Sequence, residues 1–164
     1  MKGEAVLAFN IHVYDTLKFV HVLAAIVWVG SGIFVQFEAT KLRSANEPVR
    51  LAAFAKDIAF WGTRLFMPSS LLVLLMGISL VLYSPGIGVS DAWVWLGLVG
   101  YAATFVTGAF FIGPTARKLA EQSQTVRPDD PTLQAAMARI FAISRIDQVV
   151  LILVVADMVF KPGA

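Results

Sequence analysis

Lys18, His21, Ala25, Trp28, Gly32 and Gln36 follow one another at steps of three and four residues, so they share one face of a helix. Apart from Gly30 and Ser31, every other residue from Phe19 to Phe37 is apolar. An ionisable side chain inside such a stretch marks a functional site by default, and His21 supports three chemistries. It can hydrogen-bond to Asp157 or to a backbone carbonyl and tie two helices together. It can be an axial ligand to haem b or another porphyrin, for which a helical bundle offers a slot. It can also share a copper or proton site with Asp157. At about 1.5 Å of rise per residue, His21 lies roughly 6 Å inside its end of the apolar run. Asp157, three residues before Phe160 on the last apolar segment, falls at a matching depth, with Lys161 one turn on and able to pair with it. His12 can join them only if the N-terminal segment folds back.

A second polar group comprises Gln36, Glu38, Arg64, Arg145, Asp147 and Gln148. The last three fall inside the stretch that a fourth membrane span needs, because Val149 to Phe160 alone is too short for the ~20 residues of a spanning helix. Buried charges must pair. Glu38, Arg64, Arg145 and Asp147 are therefore expected to form an ion-pair network at the inner interface. The alternative is an anionic lipid headgroup or substrate held by the arginines. Trp28, far from the interfacial belt that Trp61, Tyr83 and Trp93 suit, is expected to pack or to lie against something flat. Gly97, Gly100, Thr104 and Gly108 form a small-residue stripe, which either lets helices approach closely or flanks a flat cofactor.

These side chains need helices to hold them in a bilayer. Of 164 residues, 58% are hydrophobic and 15% charged, against about 45–50% and about 25% for a soluble domain. Mean hydropathy is +0.76. A net charge of +2 gives no ground for nucleic-acid binding, and the lack of cysteine removes disulfides, thiolate metal sites and cysteine nucleophiles. No nucleophile motif, phosphate-binding glycine loop or carboxylate pair points to a soluble hydrolase. Four spans are expected over residues 17–37, 65–83, 92–112 and 140–160. The first is too long for a signal-peptide core of ~7–15 residues and is expected to remain in the mature chain.

An amphipathic stretch, "EPVRLAAFAKDIAFWGTR", reads as a short interfacial helix before span two. The turn-rich "SPGIGVSD" makes spans two and three a hairpin. Span three is expected to stop at Gly113-Pro114, and a helix start is expected at Asp130-Pro131. Ten of the 13 lysines and arginines fall in the first and third connections or just beyond; the others are Lys2, Lys18 and Lys161. Both termini are therefore expected outside.

The segments "LKFVHVLAAIVWVGSG", "RLFMPSSLLVLLMGISLVL", "GPTARKLA" and "SRIDQVVLILVVADMVFKP" resemble a bacterial family of predicted integral membrane proteins, DUF2269, over about Leu17 to Pro162. That resemblance implies a four-helix membrane protein and no particular activity. More distantly, the Lys18-x-x-His21 entry followed by Trp28 and glycine is similar to the first span of CopD-like copper-resistance proteins and of HemJ-type protoporphyrinogen oxidases. The latter resemblance implies porphyrin binding at His21. That family also uses a third-span lysine, and none lies between Ala92 and Ile112.

The expected architecture is all-α: an integral-membrane antiparallel four-helix bundle in the bacterial cytoplasmic membrane, with one interfacial helix. The expected function is a haem- or porphyrin-associated membrane protein with His21 as ligand and Asp157 as its orienter. Trp28, Gly100, Thr104 and Gly108 would flank the ring. The rival expectation is a cofactor-free accessory or scaffold protein, in a homo-oligomer or a larger membrane complex. A copper or proton site at His21 and Asp157 is the third.

Overall fold

The computed structural model describes residues 2–84 and 86–163, with side chains from His12 onward. Pro85, expected in the hairpin turn, and the side chain of Lys2, expected among the outer charges, lie outside the described residues. All regular structure among those described is helical. Helix α1 spans Lys2–Ser44, α2 Pro48–Trp61, α3 Met67–Tyr83, α4 Ala92–Val106, α5 Gly113–Thr125 and α6 Pro131–Phe160.

α1 ends where Asn46 adopts a left-handed conformation, φ 52°. The amides of Asn46 and Glu47 reach back to the carbonyls of Arg43 and Leu42, at 3.1 and 3.2 Å, the paired bonds of a Schellman ending. Pro48 then begins α2 where its missing N–H costs nothing.

Two π-turns carry the chain on where the sequence suggested an interfacial helix ahead of span two and a polar link after span three. Gly62–Phe66 links α2 to α3 and Thr107–Ile112 links α4 to α5. Each is followed within two residues by a proline, Pro68 or Pro114. A proline cannot bond the carbonyl four residues back and crowds it. In the wider turn Met67 and Gly113 donate instead to the carbonyls of Gly62 and Gly108, which accommodates the defect without a break. Ser69 and Ser70 add hydroxyl bonds to the carbonyls of Leu65, Phe66 and Met67, at 2.6, 3.1 and 2.9 Å. The stop expected at Gly113-Pro114 is thus a passage.

Three helical runs are long and apolar enough to cross a membrane: His12–Ser44, Pro48–Tyr83 and Ala92–Thr125. α6 has 30 residues but carries Arg145, Asp147 and Asp157 through its apolar part, and it is not among the three.

The amphipathic stretch is a helix, as expected, but its apolar face does not await a membrane. Leu51, Ala52 and Ala55 pack into a buried cluster with Ala39 and Leu42 of α1, Ala116 and Leu119 of α5, and Leu133, Met137, Ile140 and Phe141 of α6. Met137 is 1% exposed and Leu51 2%. This helical head forms because α5, expected as a polar link, presents Ala116 and Leu119 one turn apart and gives α2 a partner. Away from the head, large apolar side chains such as Phe34, Phe37, Leu153 and Val159 are exposed, as lipid-facing residues must be.

Candidate functional site

His21 sits on α1 facing α3. Its Nδ1 lies 3.0 Å from the carbonyl oxygen of Val73. A carbonyl only accepts, so Nδ1 carries the proton and Nε2 keeps the free lone pair. The approach depends on Gly77, one turn beyond Val73. A Cβ there would stand 3.2 Å from His21 Cε1 and 3.5 Å from Nδ1.

Trp28, Gly32 and Gln36 of the α1 seam are also engaged within the chain. Trp28 meets Tyr101 edge-on, with ring centroids 5.5 Å apart and planes at 66°. Tyr101 stacks on Phe105 at 5.7 Å and donates its hydroxyl to the carbonyl of Ser70 at 3.2 Å, so one aromatic group joins α1, α3 and α4. Gly32 faces the side chain of Gln148 so closely that a Cβ would clash with Gln148 Oε1. Gln148 Nε2 donates to Val29 O at 3.3 Å. Gln36 Nε2 donates to Ser144 Oγ at 2.9 Å. Numbering falls along α6 as it rises along α1, and the same holds for α4 on α6.

No hydrogen bond or ion pair joins His21 to Asp157. Asp157 lies between α4 and α6, with Oδ2 3.4 Å from where a Cβ on Gly97 would stand. Both carboxylate oxygens are buried without a hydrogen-bond partner. Nor does Lys161 pair with it. Lys161 leaves the helix in a left-handed conformation, φ 45°, and its Nζ lies 5.0 Å from the ring centroid of Trp93. His12 is exposed, and its carbonyl accepts from Thr16.

The Gly97 and Gly100 part of the small-residue stripe is filled by α6. Gly97 and Gly100 leave room for Met158 and Val154 of α6, whose atoms occupy the places their Cβ groups would take. Thr104 is 2% exposed and bonds the carbonyls of Gly100 and Tyr101. Gly108 has nothing within 4 Å of its missing Cβ. Of the positions expected to flank a porphyrin, Gly100 is met by Val154 of α6, Thr104 bonds its own helix, Trp28 lies against Tyr101, and Gly108 faces open space. No group of three or more histidine, aspartate or glutamate side chains gathers to hold a metal ion among the described residues.

The inner residues form no common ion-pair network among the described residues. Glu38 meets Lys41 of its own helix at 3.5 Å, and the Arg64 guanidinium lies 4.0 Å over the ring of Phe60. Arg145 is exposed, and no ion pair joins it to Asp147. The neutral amides Gln36 and Gln148, rather than these charges, cross the α1–α6 seam. A small apolar cavity of about 30 Å³ lies below, lined by Val35, Met137, Phe141 and Ser144 among others. Its volume is enough for about one water molecule.

Ser70, Val73, Gly77, Tyr101 and Ser144 were not singled out from the sequence. Gly77 and the pair Ser69-Ser70 after Pro68 carried a signal, since small residues in an apolar span mark close approach. A backbone carbonyl such as Val73 O carries none.

The model of a family described as "Predicted integral membrane protein (DUF2269)" matches residues 15–162. No curated protein matches, and no solved structure does. The copper-resistance and protoporphyrinogen-oxidase resemblance therefore finds no support in these comparisons.

Proposed function

Since the chain belongs to the DUF2269 family of predicted integral membrane proteins, we propose that it is a cofactor-free accessory protein of the bacterial cytoplasmic membrane, a scaffold associating with itself or with a larger membrane complex. In this reading α6 is the fourth span of an antiparallel bundle, with Arg145 snorkelling toward the head. The head faces the cytoplasm, because ten of the 13 lysines and arginines lie there or at its junction with the spans, and both termini lie outside.

The observation that carries the reading is the closure of the α1 seam. His21, Trp28, Gly32 and Gln36 each meet a partner in the same chain. What remains for other molecules is the apolar exterior and the charged head. One observation favours a second reading: with Nδ1 bonded to Val73, Nε2 is free, the arrangement of a metal-ligating histidine, so haem iron or copper at that atom is the rival.

An absorption spectrum of the detergent-purified protein, expressed with ample haem and recorded before and after dithionite, separates the two. The accessory reading expects no Soret band and more than one chain, or a stoichiometric partner, in native mass spectrometry from nanodiscs. A Soret band that shifts on reduction and disappears in His21→Ala overturns it, as does a strictly monomeric, partner-free particle.

A further inference from the structure

We propose that Asp157 is a proton-binding site, held as the neutral acid in the α4–α6 seam, with Lys161 parked on Trp93 as the counter-ion that engages it once the proton leaves. The inference is independent of the accessory role.

Both oxygens of Asp157 are buried and lack a donor. An ionised carboxylate with both oxygens out of solvent and no donor carries a desolvation penalty. Gly97 makes room for Oδ2, since a Cβ would stand 3.4 Å away, so the carboxyl lies directly against α4.

The charged groups around it are few. On α4, Asp91 lies at the helix start, with Oδ2 taken by the amide of Gly88 at 3.0 Å. On α1, Lys18 is exposed and His21 faces Val73 on α3. No ion pair connects either one to Asp157. Lys161, the residue after α6, is a cation one turn from Asp157.

The backbone amide of Lys161 donates to the carbonyl oxygen of Asp157 at 2.8 Å, so the two residues are held one turn apart. The side chain is nonetheless directed over Trp93, which is 6% exposed. An ammonium on an indole face is a weak, displaceable contact. When the O–H bond of the carboxyl breaks, its proton passes to water at the exposed end of α6. The carboxylate then recruits the ammonium from Trp93.

Infrared spectra of the full chain in nanodiscs, recorded across pH, test this. A protonated-carboxyl C=O band is expected at neutral pH, lost in Asp157→Asn and kept in Asp147→Asn. In Lys161→Gln it should survive to more alkaline pH. Identical carbonyl bands in the wild type and Asp157→Asn at neutral pH overturn the proposal. Should Asp157→Asn fail to assemble, an apolar carbodiimide, which adds only to protonated carboxyls, is applied to the wild-type protein. Modification of the Asp157 peptide supports the site, and an unmodified peptide overturns it.

Discussion

The imidazole of His21 reaches the carbonyl of Val73, 3.0 Å from Nδ1, over a notch left by Gly77. Within α3 that carbonyl also receives the amide of the residue four positions on, which is Gly77 itself. The histidine therefore uses the second lone pair of a carbonyl already engaged in its helix. The tie needs only a close approach, which the glycine grants.

Gly77→Ala should push the ring away, because its Cβ would lie 3.2 Å from Cε1. A hydrogen bond within a membrane bundle contributes about 0.6–1.7 kcal/mol, and that is the expected loss. Thermal unfolding of Gly77→Ala, His21→Ala and the double variant gives a cycle. Losses that simply add would show that the two residues do not act as a unit.

The stripe of α4 behaves as an internal seam. Gly100→Leu meets Val154 and Gly97→Leu meets Met158, so each should destabilise the single chain by roughly 1–3 kcal/mol through overpacking. Gly30→Leu, where nothing lies within 4 Å of the added Cβ, should leave the single chain intact. Its effect on chain number in nanodiscs reports whether α1 meets a neighbour. Unchanged unfolding in Gly100→Leu would sink the seam assignment.

The head has a core of the kind soluble proteins have. Leu51→Ala and Met137→Ala, at positions 2% and 1% exposed, should each cost about 2–5 kcal/mol. Leu153→Ala, at 61% exposed, should cost much less. Equal losses at buried and exposed positions would argue against a packed head.

Asp130 caps α6 by accepting the amides of Thr132 and Leu133, at 2.8 and 3.3 Å. The hydroxyl of Thr132, and then these amides, hold its carboxyl below the usual carboxylate range. A depressed acid stabilises the fold above its ordinary unfolded value, and the contribution disappears as pH falls through the lowered folded one. Hydrogen-exchange protection at the start of α6 should therefore fall on acidification, and Asp130→Asn should remove that pH dependence. Protection that is flat with pH in the wild type would contradict the cap.

Much of the fold was legible along the chain. Helical class, three of the four expected apolar spans, Asp130-Pro131 as a start and the shared face of His21, Trp28, Gly32 and Gln36 all follow from periodicity and from local chemistry. The continuation through Pro68 and Pro114 was not legible, because it turns on which carbonyls the π-turns and serine hydroxyls can satisfy. The partners were legible only in kind. A carbonyl tie was among the readings open to His21, but Asp157 was expected nearby from its depth alone, and depth does not say which neighbour a helix face meets.

The sequence by itself determined membrane class and family, since hydropathy, charge placement and motif order are properties summed along the chain. Only the tertiary structure decided that α2 finds a partner in α5, that α6 fills the faces of Gly97 and Gly100, and that His21 and Asp157 occupy separate seams. Those outcomes depend on helix rotation and register. A side chain's partner changes with a turn of the helix that leaves every local propensity the same.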